Sequence, residues 1–185
     1  MRVGVLALQG AVKEHLRAVR RLGHTGVEVR LPEQLEGLDA IILPGGESTA
    51  MRRLLDKAGL LLPLQEFVLS KPTLGTCAGA ILLAKRIEPL LEAPVLGVLD
   101  VTVERNAYGS QLDSFTCRGD VAGLQDFPLV FIRAPRFAGL GPNVSVLASC
   151  NGQIVGVRAG HTWALAFHPE LTEDLRLHEM FLRPE

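Results

Sequence analysis

The chain has 185 residues, which suits one domain, because a single core grows to roughly 200 residues or more before splitting. Hydrophobic residues make up 48% of it and charged residues 21%, a balance that excludes a disordered chain. Lysine and arginine total 19 against 20 acidic residues, so nucleic acid and anionic membrane are poor partners, and a small molecule or another protein is the better fit.

Residues 2–8, RVGVLAL, read as a short buried strand, and Val12, Leu16, Val19 and Leu22 then recur at helical spacing. Strands are expected at 26–31 (GVEVRL) and at 39–43 (DAIIL), the latter ended by Pro44-Gly45-Gly46. A helix should follow from about Ser48, whose hydroxyl is the expected N-cap. TLGT, 73–76, reads as a fourth strand, and Ala78 to Ile87 as a buried helix. Strands alternating with helices imply parallel βαβ units with helices on both faces of the sheet. The second half changes character: 96–106, 113–121 and 129–135 are strand-like with little helix between them. Segments 144–149 and 153–159 flank Asn151-Gly152, a type I′ hairpin signal. WALAF, 163–167, runs into His168-Pro169-Glu170, and a last amphipathic helix is expected from about Thr172 to Leu182. With no repeat, linker or low-complexity tract, residues 1–185 read as one continuous domain.

No window reaches the ~20 apolar residues of a membrane span. The opening MRVGVLALQGA is too short an apolar run for a secretory signal, so a cytoplasmic protein is expected. Cys77, Cys117 and Cys150 form no C-x-x-C pair, which argues against a disulfide framework. His15, His24, His161, His168 and His178 lack metal-ligand spacing, so no metal site is expected.

Three segments have the form of chemistry. GTCAG places Cys77 between glycines where a strand gives way to a helix, the setting of a nucleophile on a sharp turn, with a helix N-terminus that favours negative charge on the sulfur. A lone cysteine is more often an inert core residue, so a base is required to decide the matter. His168 and Glu170, two apart in an extended segment, project to one side, and a carboxylate beside an imidazole fixes its tautomer; a surface turn is the bland alternative. In ILPGGEST the Gly-Gly exposes backbone N–H groups, so Gly46, together with the N–H of Ala78, could hold an oxyanion, although a plain turn has the same sequence. A phosphate loop is excluded, since neither G-x-x-x-x-G-K-[ST] nor G-x-G-x-x-G after a strand occurs. Jointly the segments supply the nucleophile, base, orienter and oxyanion donors of acyl transfer through a thioester.

PGGES, GTCAG and HPE, in this order, resemble the triad-type, class I glutamine amidotransferases. LALQGAVKEH, LPGGESTAMRRL, GTCAGAILLAK, VERNAYGSQLDSF, FIRAP and FHPELTED resemble more closely the family of glutaminase subunits of pyridoxal 5′-phosphate synthase, from Val3 to about Leu182. The resemblance implies a flavodoxin-like α/β fold, a three-layer αβα domain with a central mixed, mostly parallel sheet. It implies hydrolysis of L-glutamine to glutamate and ammonia by Cys77, His168 and Glu170, with no metal or organic cofactor. Substrate binding would fall on Gly46, Glu47, Ser48, Arg105, Ile132 and Arg133. The implied partner is a (β/α)₈ synthase subunit that receives the ammonia to make pyridoxal 5′-phosphate, with Gln9, Gly10 and Ala11 near the contact. The alternatives are a glutaminase of another pathway, such as imidazole glycerol phosphate synthesis, a catalytically silent regulatory subunit, or a cysteine peptidase with a similar elbow.

Overall fold

Alternating apolar strands and amphipathic helices build the N-terminal half of the computed structural model, which describes residues 1–89, 95–105 and 114–183. Strands β1 (Arg2–Leu6), β2 (Thr25–Val29), β3 (Ala40–Leu43) and β4 (Thr73–Thr76) pair in parallel in the order β2-β1-β3-β4. Every residue of β3 and β4 is buried, as continuous apolar strands in a covered parallel sheet should be. Helix α1 (Val12–Arg21) turns His15, Leu16, Ala18 and Val19 inward, and α2 (Ser48–Lys57) does the same with Met51 and Leu55.

Local chemistry corrects two sequence readings in this half and adds one helix. The N-cap of α2 is Glu47, whose carboxylate accepts the Thr49 and Ala50 N–H groups at 2.9 and 2.7 Å, while Ser48 is already helical and buried. Helix α3 (Leu61–Ser70) was not foreseen; its Pro63 sits in the first turn, where a missing N–H costs nothing. Helix α4 (Ala78–Leu83) stops short of Ile87, because Ala84–Glu88 leaves as strand β5 and pairs with β6 (Leu99–Glu104). With β9 (Arg136–Leu140), these make a separate three-stranded sheet in the order β5-β6-β9.

The remaining strands extend the main sheet. β7 (Ser114–Val121), β8 (Leu124–Ile132), β10 (Ser145–Cys150), β11 (Gln153–Ala159) and β12 (Thr162–Leu165) complete the order β2-β1-β3-β4-β12-β11-β10-β7-β8 among the described residues. β12 is the seam: it runs parallel to β4 on one side and antiparallel to β11 on the other. The β10–β11 hairpin turns on Asn151 and Gly152 at φ 51° and 74°, the left-handed pair a type I′ turn needs. The antiparallel part curls back, so that Phe131 of β8 meets Phe167 just beyond β12, ring centroids 6.0 Å apart. The mixed sheet, parallel from the edge strand β2 to the middle strand β12 and flanked by helices, is the α/β architecture expected.

The last helix, α5 (Arg176–Phe181), begins later than the periodicity suggested, because Pro169–Leu171 forms a 3-10 turn and the Asp174 carboxylate accepts the Arg176 N–H at 3.1 Å. The NAYGSQLD part of the quoted motif, 106–113, lies outside the described residues. Among those described, no helix is long and apolar enough to cross a membrane.

Candidate active site

Cys77 joins β4 to α4 at φ 47° and ψ −103°, a backbone conformation that costs a non-glycine residue about 1–3 kcal/mol unless its surroundings hold it. Here they do: its N–H donates to the Leu165 carbonyl at 2.8 Å, and its carbonyl accepts from the Ile81 N–H at 3.2 Å. The flanking glycines let α4 lie against the sheet. A Cβ on Gly79 would stand 2.0 Å from the Leu43 carbonyl oxygen, and one on Gly75 2.7 Å from the Gly79 backbone. The thiol is buried, its Sγ 3.8 Å from the Ile132 carbonyl oxygen at the end of β8.

His168 hangs just past the seam strand. Its N–H donates to the Val130 carbonyl of β8 at 2.8 Å, and its ring lies on the bare α-carbon of Gly45, where a Cβ would be 2.2 Å from Cε1. Gly45 thus serves packing, a duty the Gly-Gly motif did not announce. Nδ1 of His168 donates to Glu170 Oε1 at 2.7 Å, the two side chains being brought together by the 3-10 turn rather than by an extended strand. Nε2 is buried with no protein hydrogen-bond partner. Burial disfavours the charged ring, but Cys77 and Glu170 outweigh it and raise His168 from 6.5 to about 10. Burial likewise opposes the Glu170 carboxylate; His15 and His168 overcome it and hold the group below its ordinary value.

Around this cluster lies a cavity of about 330 Å³ whose wall contains Cys77 and His168. It also gathers Gly46, Glu47, Ser48, Arg105, Ile132 and Arg133 from three separate stretches of sequence, with Gln9, Gly10 and Ala11 at its edge. Ala78 and Glu170 are not on the wall: one follows the thiol into α4, and the other stands behind the imidazole. Residues 9–11 are stitched to the Gly-Gly turn, since Gln9 Oε1 accepts the Glu47 N–H at 2.8 Å and the Ala11 N–H donates to the Gly45 carbonyl at 3.0 Å. Arg105 reaches the N-terminus of α2, its Nη2 3.4 Å from Thr49 Oγ1, and Arg133 is exposed at φ 42°. A second cavity, about 430 Å³ and lined in part by Met1, Pro72 and Trp163, holds none of the candidate residues. Among the described residues, no group of three or more His, Cys, Asp or Glu is placed to hold a metal ion.

Two residues of this neighbourhood escaped the sequence. His15 and His178, 163 positions apart, meet behind Glu170 with ring nitrogens 3.1 Å from each other. Only the inward helical position of His15 hinted at it.

A thiol on a strained strand-to-helix turn at the carboxyl end of a parallel sheet, backed by histidine and glutamate, sits on the fold of the class I glutamine amidotransferases. The model of the SNO glutamine amidotransferase family matches residues 5–184, and the chain belongs to that family. The pyridoxal 5′-phosphate synthase subunit PdxT of Geobacillus kaustophilus is 54% identical over 184 residues, covering 98% of this chain and 93% of that one. The protein of the same description from Deinococcus radiodurans is 53% identical over 188 residues, covering 98% and 96%. A crystal structure described as a glutamine amidotransferase superposes with a TM-score of 0.93 at 52% identity, covering 97% of this chain and 96% of that one. A putative GMP synthase subunit from Thermoplasma acidophilum, 20% identical with a TM-score of 0.66 and covering 92% and 85%, shares the fold.

Proposed function

We propose that this chain is the glutaminase subunit of pyridoxal 5′-phosphate synthase, hydrolysing L-glutamine through a Cys77 thioester and passing the ammonia to a synthase subunit. Cys77 Sγ attacks the side-chain amide carbon, and the carbonyl electron pair moves onto oxygen. His168 gives its proton to the amide nitrogen as the C–N bond breaks, and ammonia leaves. Water then attacks the thioester while His168 takes its proton; the C–S bond breaks, glutamate is released and the free sulfur is restored. Glu170 keeps the ring in the tautomer this requires. The backbone N–H groups of Gly46 and Ala78 carry the oxyanion in both halves, at ~3 kcal/mol per donor.

Arg105 and Arg133 offer the charged donors that suit the substrate carboxylate, and Glu47, Ser48 and Ile132 complete the wall. Gln9, Gly10 and Ala11, bonded to the Gly-Gly turn, are the segment through which a docked synthase orders the oxyanion site. The scheme draws on no metal or organic cofactor, pyridoxal phosphate being the product of the assembly.

The observation that carries the reading is the buried 2.7 Å bond from His168 to Glu170 beside a cysteine at positive φ, on the wall of one cavity. Identity above half over nearly the full length disfavours a glutaminase of another pathway or a silent subunit. The test is alkylation by an electrophilic glutamine analogue, with the adduct mapped by mass spectrometry with and without the synthase. The expected adduct is on Cys77 and forms faster in the complex. A complex that leaves Cys77 unlabelled refutes the scheme.

A further inference from the structure

Behind the candidate triad lies a second layer of buried titratable side chains that the scheme above does not use. His15 of α1 and His178 of α5 are both fully buried. His15 Nε2 lies 3.2 Å from Thr76 Oγ1, on the residue before the nucleophile, and 3.4 Å from Glu170 Oε2. That carboxylate oxygen has no hydrogen bond of its own, whereas Oε1 is taken by His168. His15 Nδ1 lies 3.1 Å from His178 Nε2, and His178 Nδ1 has no partner.

Proton bookkeeping selects one arrangement. If His178 carries its proton on Nε2, it donates to His15 Nδ1, and His15 must carry its own on Nε2, pointing to Thr76 and Glu170. The atom left over is then the bare lone pair of His178 Nδ1. The opposite pair of tautomers buries an unsatisfied N–H at His178 and sets the lone pair of His15 against a carboxylate, both of which cost more. The surroundings favour the neutral rings this requires: burial and the nearby His168 lower His15 against the pull of the Glu170 carboxylate, and burial and the His15 ring push His178 down to about 3.

We propose that His15 is a positioning residue for the reaction, its Nε2–H bonded to Thr76 at the end of β4 and set beside the free oxygen of Glu170, with His178 fixing the tautomer from behind. This rests on the triad reading of Cys77, His168 and Glu170. Through His15, the strand that presents the thiol is tied to a ring standing 3.4 Å from the carboxylate that orients the imidazole, so a shift of the strand moves the ring against which that carboxylate rests. No contact of His15 with substrate is involved.

The test uses the full chain with the synthase subunit present and measures glutamine turnover. His15→Leu keeps the bulk and loses the donor; kcat should fall about 10- to 100-fold, as for other supporting partners of reactive groups, with KM within about twofold. His15→Gln, whose amide nitrogen can stand where Nε2 does, should recover most of the loss. Because His15→Leu leaves polar partners buried and can unfold, ¹⁵N NMR of the unmodified chain reads the tautomers directly. His15 and His178 should both appear as neutral Nε2–H rings between pH 6 and 8. A folded His15→Leu with unchanged kcat, a His15→Gln no better than His15→Leu, or a charged or Nδ1–H His15 ring overturns the proposal. Unimpaired turnover by Cys77→Ala instead overturns the triad reading itself, which keeps the two failures apart.

Discussion

The parallel and antiparallel parts of the main sheet serve the site in different ways. The parallel strands deliver backbone: β3 ends in the Gly-Gly turn, β4 ends at the cysteine, and the glycines at 45, 75 and 79 bring main chain within a side chain's width of its neighbours. The antiparallel part delivers carbonyls and cavity wall, with Val130 holding the His168 amide, Ile132 facing the sulfur and Arg133 on the wall. The candidate site thus sits where close-packed main chain meets a curled sheet edge. Changes in the first part should damage catalysis through geometry; changes at the remote end of the second should cost stability alone.

The largest effect tests the centre of the first part. Cys77→Ala should lower glutamine turnover in the complex by more than about 1,000-fold while leaving the fold intact, read by steady-state kinetics and circular dichroism. Gly45→Ala comes next. Its methyl would occupy the seat of the His168 ring, so turnover should drop about 100-fold through misplacement. Overpacking should add a loss of about 1–3 kcal/mol, read by denaturant unfolding.

The third test concerns pH. His168 is raised in the folded chain, from 6.5 to about 10, so the stability it contributes is full below pH 6.5 and is lost as pH climbs toward 10. The thermal midpoint should fall across that window more steeply in the natural chain than in His168→Asn; equal slopes would disprove the shift. The smallest effect lies at the far hairpin, where Gly152→Ala, at φ 74°, should cost about 1 kcal/mol and leave turnover unchanged. A loss of activity there would erase the distinction between the two parts.

How much could be read from residues alone follows the same division. The G-x-C-x-G elbow and the Asn-Gly hairpin were legible because each is a local conformation that demands particular residues. Histidine two residues before glutamate was legible as a pair, though not as a 3-10 turn. Strand β5 was hidden because Ala84–Glu88 carries no glycine or proline to end the helix before it and is strand only because β6 is there to pair with. The cap fell to Glu47 rather than Ser48 because adjacent side-chain oxygens compete, and the backbone turn decides between them. The His15–His178 contact was beyond reach, since nothing local records a meeting across 163 positions.

His168 is moored to both parts at once, by its backbone N–H to the Val130 carbonyl and by its ring to Gly45. A sliding of one part over the other cannot preserve both moorings, so the residue acts as a keystone: shear anywhere across the seam arrives at the one ring that the proposed scheme uses as its base.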